Sequence, residues 1–174
     1  MIGRRKPSVP VGPGERVLAW CHDSDGRVVA GTRDAFYLPR VPASSPVGPV
    51  ETLRLPWEQV EDADWDADAS VLRLSEVGTW GAPRPVHRLT LVEPTLLLQL
   101  VRERVTSTVV LQRHVPIKGR RGLRVIARRA PGGDRAVSWV YEFDEGVDPA
   151  DPAVRAAAEA ALAQAQDEVG VAGS

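Results

Sequence analysis

The chain has 174 residues, 22 basic and 23 acidic side chains, a formal net charge of −1, 43% hydrophobic content and a single cysteine. That length fits one domain, or one domain with a large extension, and can bury a core without staples. The lone Cys21 excludes an internal disulfide, and no run approaches the length of a membrane-spanning helix, so membrane insertion is not expected.

The N-terminal stretch MIGRRKPSVPVGPG carries charge but no apolar core of the kind a secretory signal needs. With the single cysteine, this makes a cytoplasmic location the expectation. Residues 1–13, with three prolines and the Arg4-Arg5-Lys6 triplet, are read as a disordered tail. Arg16–His22 alternates as a first strand, and Asp23-Ser24-Asp25-Gly26 is a hairpin turn, because Asp-Gly tolerates the left-handed backbone. Arg27–Gly31 and Ala35–Pro39 follow as strands, then a Pro/Ser/Gly loop over Val41–Val50. Glu51–Trp65 reads as one long strand bent at Pro56, which removes a ladder hydrogen bond. Val71–Ser75 and Val86–Leu91 complete six strands.

The period then changes. In Pro94–Val105, Leu97, Leu100, Val101 and Val105 recur at helical spacing, with Pro94 suited to a first turn. Thr108–Val115 is β-branched and strand-like, Lys118–Gly122 is a tight basic turn, and Leu123–Arg129 and Ala136–Phe143 are strands joined through Pro131-Gly132-Gly133-Asp134. Asp151 caps a last helix with Pro152 in its first position, and its apolar face is mostly alanine.

The order predicts an α+β protein: a six-stranded half-open barrel plus helix over residues 14–106, and a three-stranded antiparallel sheet with a long helix over 107–170. The two are expected to share one core, since a unit of about 65 residues is small for independence. Gly14-Glu15-Arg16-Val17-Leu18, the Val28–Leu38 hairpin with its Thr32-Arg33 corner, Pro56-Trp57-Glu58-Gln59-Val60 and the strand-to-helix run Arg88–Val105 together resemble a pleckstrin-homology or GRAM-type half-barrel. The whole chain, with 20 arginines against 2 lysines, also resembles an uncharacterised actinobacterial-type conserved family of this organisation, which brings no activity to carry over. The pleckstrin-type resemblance implies headgroup binding, but Asp23 and Asp25 stand in the first hairpin loop where such domains gather cations. Phosphoinositide recognition is therefore not expected.

Charge is unevenly spread. Arg102–Arg135 holds ten basic residues and two acids. Arg113, Lys118, Arg120, Arg121, Arg124 and Arg128 form a candidate basic contact face. With Trp139 and Tyr141 nearby, such a sheet could stack bases and neutralise phosphates. The competing reading buries the aromatics under the alanine-rich helix and pairs the arginines with Glu142 and the acidic tail. It is favoured, because Val137, Trp139, Tyr141 and Phe143 share one strand face. The second cluster is acidic: Glu58, Glu61, Asp62, Asp64 and Asp66. Its spacing matches no EF-hand. It reads as a charged edge strand that discourages aggregation, and also as a patch for a basic partner.

Cys21 and His22 are adjacent on a strand and so face opposite ways, which argues against a nucleophile–base couple. His87 and His114 stand alone, and no hydrolase, Walker, Rossmann or zincin fingerprint occurs. No enzyme activity, metal or cofactor is expected. The expectation is a protein-binding or scaffolding module, with self-association as a dimer as one version and single-stranded nucleic-acid binding as the alternative.

Overall fold

The computed structural model describes residues 6–40, 49–131 and 136–170. Seven strands come first: β1 Ala19–Asp23, β2 Val28–Gly31, β3 Ala35–Arg40, β4 Glu51–Pro56, β5 Val60–Asp66, β6 Val71–Glu76 and β7 Val86–Val92. They form one curled antiparallel sheet in the order β4-β3-β2-β1-β7-β6-β5, a half-open barrel whose edges are β4 and β5. The helix α1, Thr95–Thr108, packs on β1, β2 and β5.

The barrel has one strand more than the sequence predicted. Glu51–Trp65 is not a single bent strand: a 3-10 turn, Trp57–Gln59, divides β4 from β5. Pro56 offers no N–H to a ladder. Trp57 is fully buried, and its indole Nε1 donates to the Thr32 carbonyl at 3.0 Å. A side chain anchored in the core in this way turns the backbone out of the extended form.

α1 lies close over the sheet because of Gly31. A β-carbon there would sit 2.7 Å from Leu100 Cδ2, so a larger residue would require Leu100 to shift for the helix to keep this height. Leu97, Leu100 and Val101 face inward and complete a core with Phe36, Trp57 and Leu74. A smaller cluster covers the outer face of the sheet. There Val9 and Val11, within the stretch read as a tail, lie against Ala30, Ala35 and Tyr37. Residues 1–5 of that stretch, and 41–48 of the expected Pro/Ser/Gly loop, lie outside the described residues.

The chain leaves α1 directly into β8, Val109–Lys118, followed by β9, Arg121–Arg128, and β10, Ser138–Phe143. The sheet order is β10-β9-β8, all antiparallel. Positions 132–134 of the expected β9–β10 turn are outside the described residues, but the pairing it implies is present, with Ser138 opposite Arg128 and Phe143 opposite Leu123. The final helix α2, Pro152–Val169, begins as the sequence predicts: Asp151 Oδ1 accepts from the Ala153 N–H at 2.8 Å. Ala158, Ala161 and Ala165 bring it close against Leu123 and Val125 in a second core cluster.

The junction between the barrel and the second sheet is polar and aromatic rather than aliphatic. The β6–β7 loop lays Trp80 edge-on against Tyr141 and Phe143, with ring centroids 5.0 and 4.9 Å apart, and its indole donates to the Pro149 carbonyl at 3.0 Å. Arg84 of the same loop donates to the Tyr141 carbonyl at 3.2 Å.

Candidate functional site: a neutralised basic face and an open acidic edge

Strand alternation decides where the cations of the second sheet go. On the α2 side, cross-strand rows place Arg113 beside Val125 and Tyr141. Arg113 reaches over the helix, donating to Gln164 Oε1 at 3.4 Å and pairing closely with Glu168. On the other side, Arg124 sits between His114 and Glu142. It lies 3.5 Å from Glu142 Oε2 and 4.0 Å from Asp144 Oδ1. Asp144 also accepts from the Gly122 N–H at 2.8 Å and contacts His114 Nε2 at 3.2 Å. The Gly122 N–H, then the His114 hydrogen bond, then Arg124 hold the Asp144 carboxyl below its usual range. Arg121 donates to the Glu145 carbonyl at 3.4 Å.

Gly122 makes this arrangement feasible. A β-carbon there would fall 1.8 Å from the Val115 carbonyl oxygen, so β8 and β9 meet at this point only around glycine.

Arg128 is a correction to the sequence reading. It is 3% exposed, not part of a surface. Its Nη1 donates to Thr108 Oγ1 at 3.0 Å and its Nη2 to the Glu61 carbonyl at 2.6 Å. The direct passage of α1 into β8 brings Thr108 opposite β9 and closes the guanidinium under the barrel edge. Of the predicted basic face, Lys118 and Arg120 alone have side chains with no ion-pair or hydrogen-bond partner among the described residues; both sit at the β8–β9 turn. The rings proposed to stack bases are engaged too. Trp139, Tyr141 and Phe143 pack in the α2 core cluster, where Trp80 joins them.

The acidic cluster divides differently. Asp62, Asp64 and Asp66 project from one exposed side of β5, while Ala63 and Trp65 turn toward the barrel core. Glu58 is drawn into the 3-10 turn, where its Oε2 is buried. Glu61 is the second correction: a register shift between Val60 and Asp62 turns it inward, leaving it 5% exposed instead of on the edge.

β5 hydrogen-bonds β6 on one side, and among the described residues no strand lies along the other. Arg128 meets β5 at the Glu61 carbonyl. Between β5 and α1 runs a groove of about 690 Å³. Trp65, Leu72, Leu98, Val101 and Val105 supply its apolar lining, and Asp62, Asp64 and Arg102 its charges.

Other candidates hold less. Cys21 is buried in the barrel core, while His22 lies on the opposite face, edge-on to Trp20 at 5.4 Å. Among the described residues no group of three or more His, Cys, Asp or Glu is placed to hold a metal. One constellation escaped the sequence reading. Glu15 pairs with Arg54 and accepts from Tyr37, whose hydroxyl accepts from the Gly12 N–H at 2.8 Å. Burial works against the Glu15 carboxylate, but the hydrogen bonds from Arg54 and Tyr37 outweigh it and lower its pKa. These contacts fasten the N-terminal segment to β3 and β4. Their members are 17 to 39 positions apart, and no local pattern announces them.

No family model matches the chain, and no curated protein matches it either. No helix among the described residues is long and apolar enough to cross a membrane.

Proposed function

We propose that the chain is a non-catalytic, cytoplasmic protein-binding module that takes an extended, basic segment of its partner along β5. The observation that carries this is the β5 edge, unpaired among the described residues, beside a groove of mixed apolar and charged lining, with aspartates of one sign on its exposed face. An edge strand presents N–H and C=O groups that an incoming segment can pair, and pockets for alternate side chains give selectivity. A segment added here would send one set of side chains toward Trp65 and Leu98. The other set would become cross-strand neighbours of Asp62, Asp64 and Asp66. Opposite charges favour such pairs and like charges oppose them. The same aspartates thus repel an identical edge and accept a basic one.

The competing surfaces have less to offer. Glu142, Asp144 and Glu168 already hold Arg124 and Arg113, and Trp80 and α2 occupy the rings a nucleic acid would need. The first hairpin turn is neutralised as well, since Arg27 lies 3.3 Å from Asp25 and 4.0 Å from Asp23. Self-association is one version of the proposal, because Lys118 and Arg120 at the β8–β9 turn carry the sign the edge takes. Sedimentation at low and high salt separates a dimer from a foreign partner.

The test is calorimetric titration with a synthetic peptide of alternating lysine and valine, against one of alternating glutamate and valine. The lysine peptide binds, more weakly as salt rises. The Asp62→Lys, Asp64→Lys variant loses on the order of tenfold or more in affinity, a change of about 1.4 kcal/mol. Equal binding of the glutamate peptide, or unchanged affinity in the variant, contradicts the proposal.

A further inference from the structure

The junction between barrel and second sheet contains an ionisable cluster whose buried centre the docking edge does not use. At its centre is Glu61, with a side chain 1% exposed. Arg84 approaches from the β6–β7 loop, its Nη1 2.8 Å from Glu61 Oε2. Neither carboxylate oxygen is in a well-directed hydrogen bond. Glu142 faces it from β10 and Arg128 from β9. A cavity of about 380 Å³ opens beside it, and Asp62 of β5 and Arg73 and Ser75 of β6 complete the polar lining. A carboxyl group here is therefore shut from water, short of directed donors and next to a second carboxylate, at the contact between the two halves of the molecule.

We infer that this junction is a pH-responsive joint: with Glu61 protonated the β6–β7 loop and β10 stay closed on one another, and its ionisation favours an open junction in which water reaches the carboxylate. Burial is the strongest influence on Glu61 and disfavours its charge. Arg84 pulls the other way, Glu142 adds repulsion, and the balance lifts the carboxyl from 4.5 to about 7. In an open junction, solvated, the group returns toward 4.5. The closed form therefore holds the proton more tightly than the open form does. Its stabilisation is fully present below the open-state value and is lost as pH rises through the closed-state value of about 7. Arg84 and Trp80 share one loop, so when that loop parts from β10 the Arg84 bond to the Tyr141 carbonyl and the docking of Trp80 on Tyr141 and Phe143 are loosened together, while Arg84 can stay with the ionised Glu61.

Hydrogen exchange of the β10 and β6–β7 loop amides, corrected for the intrinsic pH dependence of exchange, tests this on the full chain. Wild-type protection should fall roughly tenfold between about pH 5.5 and about pH 8, a change the linkage can supply. Glu61→Gln should hold the low-pH protection throughout, because the amide is neutral and of the same shape. Glu142→Gln should move the wild-type midpoint to lower pH by removing the like charge. The His114–Asp144 and His87–Glu76 pairs are common to wild type and both variants, so the difference from wild type isolates Glu61. A flat wild-type profile overturns the inference, as does an unchanged slope in Glu61→Gln. Should Glu61→Gln fail to fold, an unchanged midpoint in Glu142→Gln overturns it equally.

Discussion

The cations of the second sheet and the acids around β5 begin alike, as one-sign clusters on strands, and end differently. The basic stretch is largely answered from within: Arg113 by Glu168 on α2, Arg124 by Glu142 and Asp144, and Arg128 by a buried hydroxyl and a carbonyl. On β5, Asp62, Asp64 and Asp66 have a strand on one side only, where β6 sets Arg73 opposite Asp64; among the described residues β5 is the last strand of its sheet. The number of charges in a cluster is a poor guide to available surface. What matters is whether a complementary element folds back over it, and α2 and β10 do so for the arginines.

The contrast can be broken at several places, with unequal consequences. Arg128→Ala has the largest effect. It takes the donor from the Glu61 carbonyl, leaves the Thr108 hydroxyl with its bond to the Val105 carbonyl alone, and removes a cation facing a buried carboxyl. The expected loss is about 3 kcal/mol, read from urea unfolding. A loss below about 0.5 kcal/mol would mean that the buried contacts of Arg128 add little to the fold. Arg124→Ala touches a side chain 40% exposed, where solvent screens the pair. Its cost should stay under about 1 kcal/mol and shrink with added salt.

The sequence carries the local part of this structure well. Asp25-Gly26 makes the first turn with Gly26 at φ 77°, Asp151 caps α2, and the change from period two to helical spacing marks α1. Features that depend on distant partners are not legible. The break at Trp57 requires the Thr32 carbonyl, 25 positions away. The inward turn of Glu61 comes from a bulge, and nothing in Glu58–Asp68 distinguishes Glu61 from its acidic neighbours. Arg128 resembles Arg124 in sequence, four positions along the same strand, yet one is closed under the barrel and the other is 40% exposed. The pairing of aromatic face with α2 was legible, because same-face periodicity in a strand reports burial directly.

The most direct measurement is amide chemical-shift mapping of the folded chain with the alternating lysine–valine peptide. The account predicts perturbations along Val60–Asp66 and the facing side of Thr95–Thr108, with Arg120→Glu leaving the map unchanged. Perturbations gathered instead on Lys118–Arg124 would contradict it.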